Sequence, residues 1–413
     1  MMSAKVSDDS YDVLIVGGGM VGAALGCCLG NSKIRVAVVE ETRPKTFASG
    51  DDPDLRVSAI SIASQTIMAT VGAWPGIISK RLCPFSRMRV WENNNDTEFC
   101  SKDIDRPHLG YIVENRVVQL ALLKHLDCFD NVDLICPARI EMIQYAANGS
   151  TAQLDDGRIL KSRLLVAADG GQSRVRQSVG IGVSSWDYDQ HAMVISVETG
   201  YSQQDITWQR FTPSGPQAFL PLFGNRASLV WYNSPDEIRR LKSLPNTELI
   251  TEISTSFPNN LGEIKTVLGR ASFPLKRQHA FDYVKEGVAL IGDAAHVINP
   301  LAGQGVNIGF LDAAALAQVL VAAKEKDQDL GSTRILNEYQ RLRRWDNLMM
   351  MTAMEMFYRV FSNQILPIRV LRNFGLGLAE RLQPAKNKAM RYAVGLEGNL
   401  PKLARGEIIV NES

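Results

Sequence analysis

The sequence has no CxxC pair among its six cysteines, which leaves no thiol framework for a zinc site or a disulfide reductase. Cys27 and Cys28 stand together in an apolar helix pattern, while Cys83, Cys100, Cys128 and Cys136 are scattered, as expected of buried structural thiols in a reducing cytosol. No uninterrupted apolar run reaches the ~18 residues that span a bilayer. An excess of charge of one sign is missing too. Lys and Arg total 45 against 44 Asp and Glu, so the net charge of +1 supplies no basic field for nucleic acid. The first apolar run, Tyr11 to Val16, has an acidic leader and runs straight into glycines, which does not fit a signal peptide. The 413 residues, 45% of them apolar, suit two or three domains at ~150 residues each.

Glycine is present in three ordered motifs. A strand-like stretch, Asp12 to Val16, runs into Gly17-Gly18-Gly19-Met20-Val21-Gly22, and a helix of small apolar residues follows. In that setting Gly17 permits a tight turn, Gly19 lets the backbone approach a pyrophosphate, and Gly22 lets the helix pack close to the strand. A second strand, Arg35 to Val39, ends in Glu40, near the ~20-residue offset at which an acid binds an adenosine ribose. This motif alone accepts FAD or NAD equally well.

The second motif, Leu164 to Arg176, is an apolar strand breaking at Asp169-Gly170-Gly171 into a helix start. The third is an apolar strand, Val288 to Ile291, that delivers Gly292-Asp293-Ala294-Ala295-His296 and then a glycine-rich segment from Pro300 to Asn307. An acid there can bind the hydroxyls of a ribityl chain, and the helix start can face a phosphate or a flavin edge.

These motifs in this order resemble the single-component flavin aromatic hydroxylases. The form GDAAHxxxPLAGQGxNxG, with Asp54-Leu55-Arg56-Val57-Ser58-Ala59-Ile60-Ser61 upstream, is similar more narrowly to the ubiquinone-biosynthesis hydroxylases, and the likeness runs from Tyr11 to Gly395. The resemblance implies an α/β fold: a Rossmann-type FAD-binding domain interrupted by a mixed β-sheet substrate domain, p-hydroxybenzoate-hydroxylase-like, with a helical C-terminal region. The expected division is 1–75, 99–181 and 274–335 for FAD, 76–98 and 182–273 for the substrate sheet, and 336–413 for the helical part.

It also implies non-covalent FAD, NADPH or NADH as reductant, and O2 as co-substrate. The oxygen would reach the ring of a polyprenylated benzoquinol through a C4a-hydroperoxyflavin. Matching positions assign Arg56 to FAD, with a second role towards NAD(P)H, and Arg116 and Gln119 to the ribityl-pyrophosphate. Asp169 would serve FAD and the approach of NAD(P)H, Asp293 the ribityl, and Gly303, Gly305 and Asn307 the isoalloxazine. Without the resemblance, Arg56 and Arg116 read as ordinary salt bridges and Gln119 as a solvated helix face. The implied setting is cytoplasmic, with peripheral contact at the inner face of the cytoplasmic membrane, association with other quinone-synthesis enzymes, and a homodimer. Another ring position, a flavin-dependent reductase and an FAD-stabilised scaffold subunit remain as alternatives.

The stretch from Gly182 to Phe273 alternates apolar and polar residues and reads as a substrate sheet. Phe219, Pro221, Trp231 and Tyr232 are candidate walls, although alternate residues must face away. No catalytic base stands out: His296 lies in the third motif, where a structural role serves as well, and His191 and His279 have weaker claims. The tail reads as helices. Met349, Met350, Met351, Met354 and Met356 suggest a packed cap or, with Arg359, Arg369, Arg372 and Arg381, a path for an isoprenoid tail beside headgroups.

Overall fold

The computed structural model describes residues 9–92, 95–258, 261–298, 305–362 and 383–410. Its first sheet is built on a parallel core in the order β18 (Val288–Leu290), β11 (Ile159–Ala167), β1 (Asp9–Val16), β2 (Val36–Val39), β8 (Val132–Ile135). Val13, Leu14, Ile15 and Val36 to Val38 are fully buried. Parallel strands covered on both faces read as continuous apolar runs for this reason. The short β17 (Val284–Lys285) closes one edge, and β9 (Ile140–Gln144) with β10 (Ser150–Leu154) extends β11 antiparallel. Helices α1 (Met20–Cys28), α4 (Asn115–Leu126) and α8 (Gly305–Glu325) share its core. Among the described residues, α8 alone is long and apolar enough to cross a membrane, yet most of it is buried in this core.

The second sheet is mixed. Its order is β19 (His296–Val297), β16 (Ile264–Ala280), β12 (Val183–Thr199), β15 (Arg226–Asn233), β14 (Gly215–Pro221), β13 (Ile206–Thr212), β5 (Arg87–Glu92), β6 (Asn95–Cys100), with only the β13–β5 pair parallel. A three-stranded sheet, β3 (Val57–Ser61), β7 (Gly110–Glu114) and β4 (Cys83–Phe85), has α2 (Ile62–Thr70) and α3 (Trp74–Ile78) beside it.

Alternation along the strands decides what each face of the second sheet meets. Trp208, Phe219 and Trp231 pack beneath Ile238 and Leu241 of α6 (Pro235–Ser243) and Leu249 and Ile253 of α7 (Asn246–Ser256). Leu220 and Val230 point the other way, towards Ala59, Phe85 and Ile112 of the three-stranded sheet. That second face looks at the cofactor motifs, and β19 brings His296 of the third motif into register with His279 of β16. The long α9 (Thr333–Ser362) runs beside α8 and reaches Tyr188 of β12 through Glu355.

Candidate active site

The glycine turn after β1 is shaped by close approach. Gly17 has φ +102°, and a Cβ on it would stand 2.4 Å from the Ala168 carbonyl oxygen. A Cβ on Gly22 would stand 1.9 Å from the Gly17 oxygen, so helix and turn fit only with hydrogen there. Gly19 is different: a Cβ on it would meet nothing within 4 Å, because its open side faces the cleft. Glu40, at the end of β2, accepts the Gly18 N–H at 2.7 Å through Oε2 and the Thr42 N–H at 3.1 Å through Oε1. Gln119 of α4 donates to the Gly18 oxygen at 3.0 Å. Both peptide groups of Gly18 are therefore fixed by side chains.

The adjacent parallel strand, β11, delivers Asp169. Its Oδ2 accepts the Val175 N–H at 3.1 Å, capping α5 (Arg174–Ser178), while its Oδ1 is buried with no hydrogen-bond partner. A buried carboxylate oxygen without a donor is costly, and a ligand hydroxyl or amide would satisfy it.

Residues 51–56 form a strap across the cleft, fixed by buried charge. Arg81 binds Glu114 through Nε (2.5 Å) and Nη2 (2.9 Å), donates to the Asp51 and Asp52 carbonyl oxygens, and lies between the rings of Phe47 and Phe223. Glu114 also accepts the Asp54 N–H at 2.8 Å. Arg116 binds Asp54 at 2.8 Å and reaches Asp51 and the Thr46 oxygen. Leu55 lies over Gly269 of the second sheet, and the Arg56 oxygen accepts the Asn115 N–H. The Arg56 side chain, like that of Asp52, remains exposed.

The turn after β18 completes the cleft. Asp293 presents its side chain to open space but has packed protein on its other sides; desolvation holds its carboxyl above the ordinary value, opposed by the charges of His296 and Arg56. Behind it, Asp312 of α8 accepts the Gly292 N–H at 3.1 Å, and Arg176 of the second motif donates to the Ala294 oxygen at 2.7 Å and the Gly171 oxygen at 3.0 Å. Gly17–Gly19, Glu40, Arg56, Asp169 and Asp293 thus border one cleft at the carboxyl ends of parallel strands, the usual ligand position in such sheets. A wide depression of about 580 Å³, lined by Ser10, Arg35, Lys161 and Arg163, lies at the opposite ends of β1 and β11 and has no part in it.

A family model described as FAD binding domain matches residues 10–346. Over 392 residues the chain is 43% identical to the 3-demethoxyubiquinol 3-hydroxylase of Escherichia coli (strain K12), covering 95% of this chain and 100% of that protein. The chain belongs to the FAD-dependent monooxygenases of ubiquinone biosynthesis. Ubiquinone hydroxylase UbiL of Rhodospirillum rubrum is 39% identical over 406 residues, 97% of this chain and 94% of that one. The fold is shared with p-nitrophenol 4-monooxygenase PnpA from Pseudomonas putida DLL-E4, at TM-score 0.76 and 20% identity over 94% of this chain and 99% of that one.

The monooxygenase uses FAD, and the residues present fit it: Gly19 is open to a pyrophosphate, Asp169 has an unsatisfied oxygen, and Asp293 faces the cleft. Three further expected ligands also carry contacts within the protein. Arg116 pairs with Asp51 and Asp54, Gln119 donates to the Gly18 oxygen, and Asn307 ties two elements together. Asn307 accepts the Ser61 N–H at 2.9 Å and the Ser64 hydroxyl at 2.8 Å and donates to the Ala59 oxygen at 2.8 Å, which anchors the start of α8 to β3. These side chains shape the walls of the cleft. Gly305 opens α8, and Gly303 lies outside the described residues.

Of the expected ring walls, Phe219 and Trp231 face α6 and α7, and Pro221 shares the Phe219 side by alternation; Tyr232 faces the cofactor side with Ala192 and Leu275. The methionines of α9 divide: Met351 is buried against Ile298 and Ile308, whereas Met349 and Met356 are exposed. The Arg359 side chain, Arg369, Arg372 and Arg381 lie outside the described residues. Asp312, Arg343, Asn347 and the Arg81–Glu114 pair went unnoticed in the sequence. An aspartate within a largely apolar 21-residue helix is the available signal for Asp312.

Proposed function

We propose that this monooxygenase hydroxylates the ring of a polyprenylated demethoxy-benzoquinol, the reaction of a 2-octaprenyl-3-methyl-6-methoxy-1,4-benzoquinol hydroxylase, with NAD(P)H as reductant. The observation that carries this reading is 43% identity along nearly the whole chain to a demethoxyubiquinol hydroxylase, in a chain that carries the three glycine-centred motifs in order. FAD, when bound, supplies the redox and oxygen-transfer chemistry. The chain's own residues bind, aim and keep the site dry. Gly17 to Gly19 offer backbone to the pyrophosphate, Glu40 takes a ribose, Asp169 completes its hydrogen bonding on the cofactor, and Asp293 takes ribityl hydroxyls. Arg56 extends from its strap over the same cleft.

The face of the second sheet carrying Ala192, Leu220, Val230 and Tyr232 is largely apolar, with the buried Ser196 and Ser228 hydroxyls beside the phenol, which suits a quinol ring and limits water. A quinol carries its own activating hydroxyl, so the chemistry needs no strong protein base. Protein reduced anaerobically by NADPH and then given heavy-isotope dioxygen with a short-tailed demethoxy-quinol should yield a ring hydroxyl bearing the isotope. Reduction without label in the quinol would reject this substrate.

A further inference from the structure

Asp312 has no exposed surface, yet it carries four hydrogen-bond donors. Oδ2 accepts the Gly292 N–H (3.1 Å) and His296 Nε2 (2.5 Å), and Oδ1 accepts Arg343 Nε (3.0 Å) and Asn347 Nδ2 (2.9 Å). Arg343 also donates to Asn347 Oδ1 at 2.6 Å. His296, Arg343 and Asn347 are all nearly inaccessible, so the carboxylate is neutralised and saturated wholly from within. Burial alone would raise its pKa; His296, Arg343 and Asn347 outweigh that and hold it below the ordinary aspartate value.

The cluster continues to Tyr283, whose hydroxyl takes a bond from Asn347 Nδ2 (3.3 Å) and meets His279 Nε2 at 3.1 Å. An amide nitrogen donates and does not accept, so Asn347, donating to both Asp312 and Tyr283, passes no proton between them. The arrangement holds shape and charge and is not a proton wire. What it holds is the Gly292–Asp293 turn, at a glycine with φ +57°, from which Asp293 alone turns outward.

We propose that Asp312 is a positioning residue for the cofactor: with Arg343 and Asn347 of α9 behind it, it fixes the Gly292 peptide and thereby aims Asp293 into the FAD cleft. The proposal rests on the reading of Asp293 as a ribityl ligand. Outer partners that orient the ligands of a metal are commonly worth about tenfold or more in its affinity, and an effect of the same order is expected here. FAD is titrated into the deflavinated full chain as parent, Asp293→Ala and Asp312→Asn. The visible circular dichroism and midpoint potential of the bound flavin are then read at saturating FAD. A purely structural loss would lower thermal stability and leave both flavin signals unchanged at saturation. The expected result is an FAD Kd raised about tenfold or more in both variants, with the dichroism and potential of each displaced from the parent. Asp312→Asn protein that gives the parent's dichroism and potential, while Asp293→Ala alters them, overturns the positioning role. Unchanged affinity in Asp293→Ala overturns the ribityl reading and the proposal built on it. If Asp312→Asn fails to fold, Asn347→Leu removes one donor from Oδ1 and is read by the same signals, with the same outcomes deciding.

Discussion

The glycine turn and the two segments opposite it face the same cleft but are held by different forces. Around Gly17 and Gly22 the backbone approaches so closely that a single methyl group would collide, and the Glu40 carboxylate adds a hydrogen bond from the Gly18 N–H rather than an ion pair. The strap at 51–56 and the Gly292–Asp293 turn instead take their shape from buried ions, Arg81 with Glu114 and Asp312 with Arg343. The comparison teaches where each segment is vulnerable. A steric turn fails when something is added, whereas an ion-built segment fails when something is removed, because the abandoned partner is left charged in a dry place.

The largest effect is therefore expected from removal. Arg81→Met leaves Glu114, 3% exposed, without its counter-ion, and should cost about 3–5 kcal/mol in chemical unfolding. It should also release the strap that carries Arg56, so proteolysis within residues 45–56 of the variant should accelerate. Stability within about 0.5 kcal/mol of the parent, the allowance set by ordinary surface substitutions, would show that the ion pair does not hold the strap.

Addition at the glycine turn should come next. Gly22→Ala must move either the helix or the turn and should lose about 1–3 kcal/mol, with FAD content falling in parallel. Gly19→Ala separates the two readouts, since its methyl group meets no protein atom: the deflavinated chain should unfold within about 0.5 kcal/mol of the parent while FAD binding weakens. Equal losses of stability in both variants would erase the distinction between a packing glycine and a cofactor-facing one.

The steric half of this comparison was legible in the sequence and the ionic half was not. Gly17, Gly22 and Glu40 lie within one strand–helix–strand unit, where spacing along the chain dictates spacing in space. The partner of Arg81 is Glu114, and Gly292 depends on Asp312 and Arg343; such pairs exist only after distant elements have packed. Even so, α9 carried a trace. Tyr339, Arg343, Asn347 and Met351 recur every four residues on its buried side, so polar residues occupy a stripe that periodicity marks as core. The second sheet shows the opposite limit. Alternation says that neighbouring residues such as Trp231 and Tyr232 face opposite ways, but only the arrival of α6 and α7 decides which of them turns from the cofactor.

The smallest effect expected is a pH dependence that belongs to the ion-built side alone. Surrounding protein raises the Asp293 carboxyl above its ordinary value, against the pull of His296 and Arg56. In the deflavinated chain the folded state then holds this proton more tightly than the unfolded chain does. The group accordingly favours folding at low pH and disfavours it as pH rises through the raised pKa. FAD reverses the sign locally, because ribityl hydroxyls donate to the carboxylate and prefer it ionised. FAD affinity should therefore be greatest above that pKa and fall several-fold as the solution is acidified through it. Fluorescence titrations from pH 7.5 downward should show this loss in the parent and not in Asp293→Asn, which has no proton to gain. An equal loss in both would move the titrating group elsewhere.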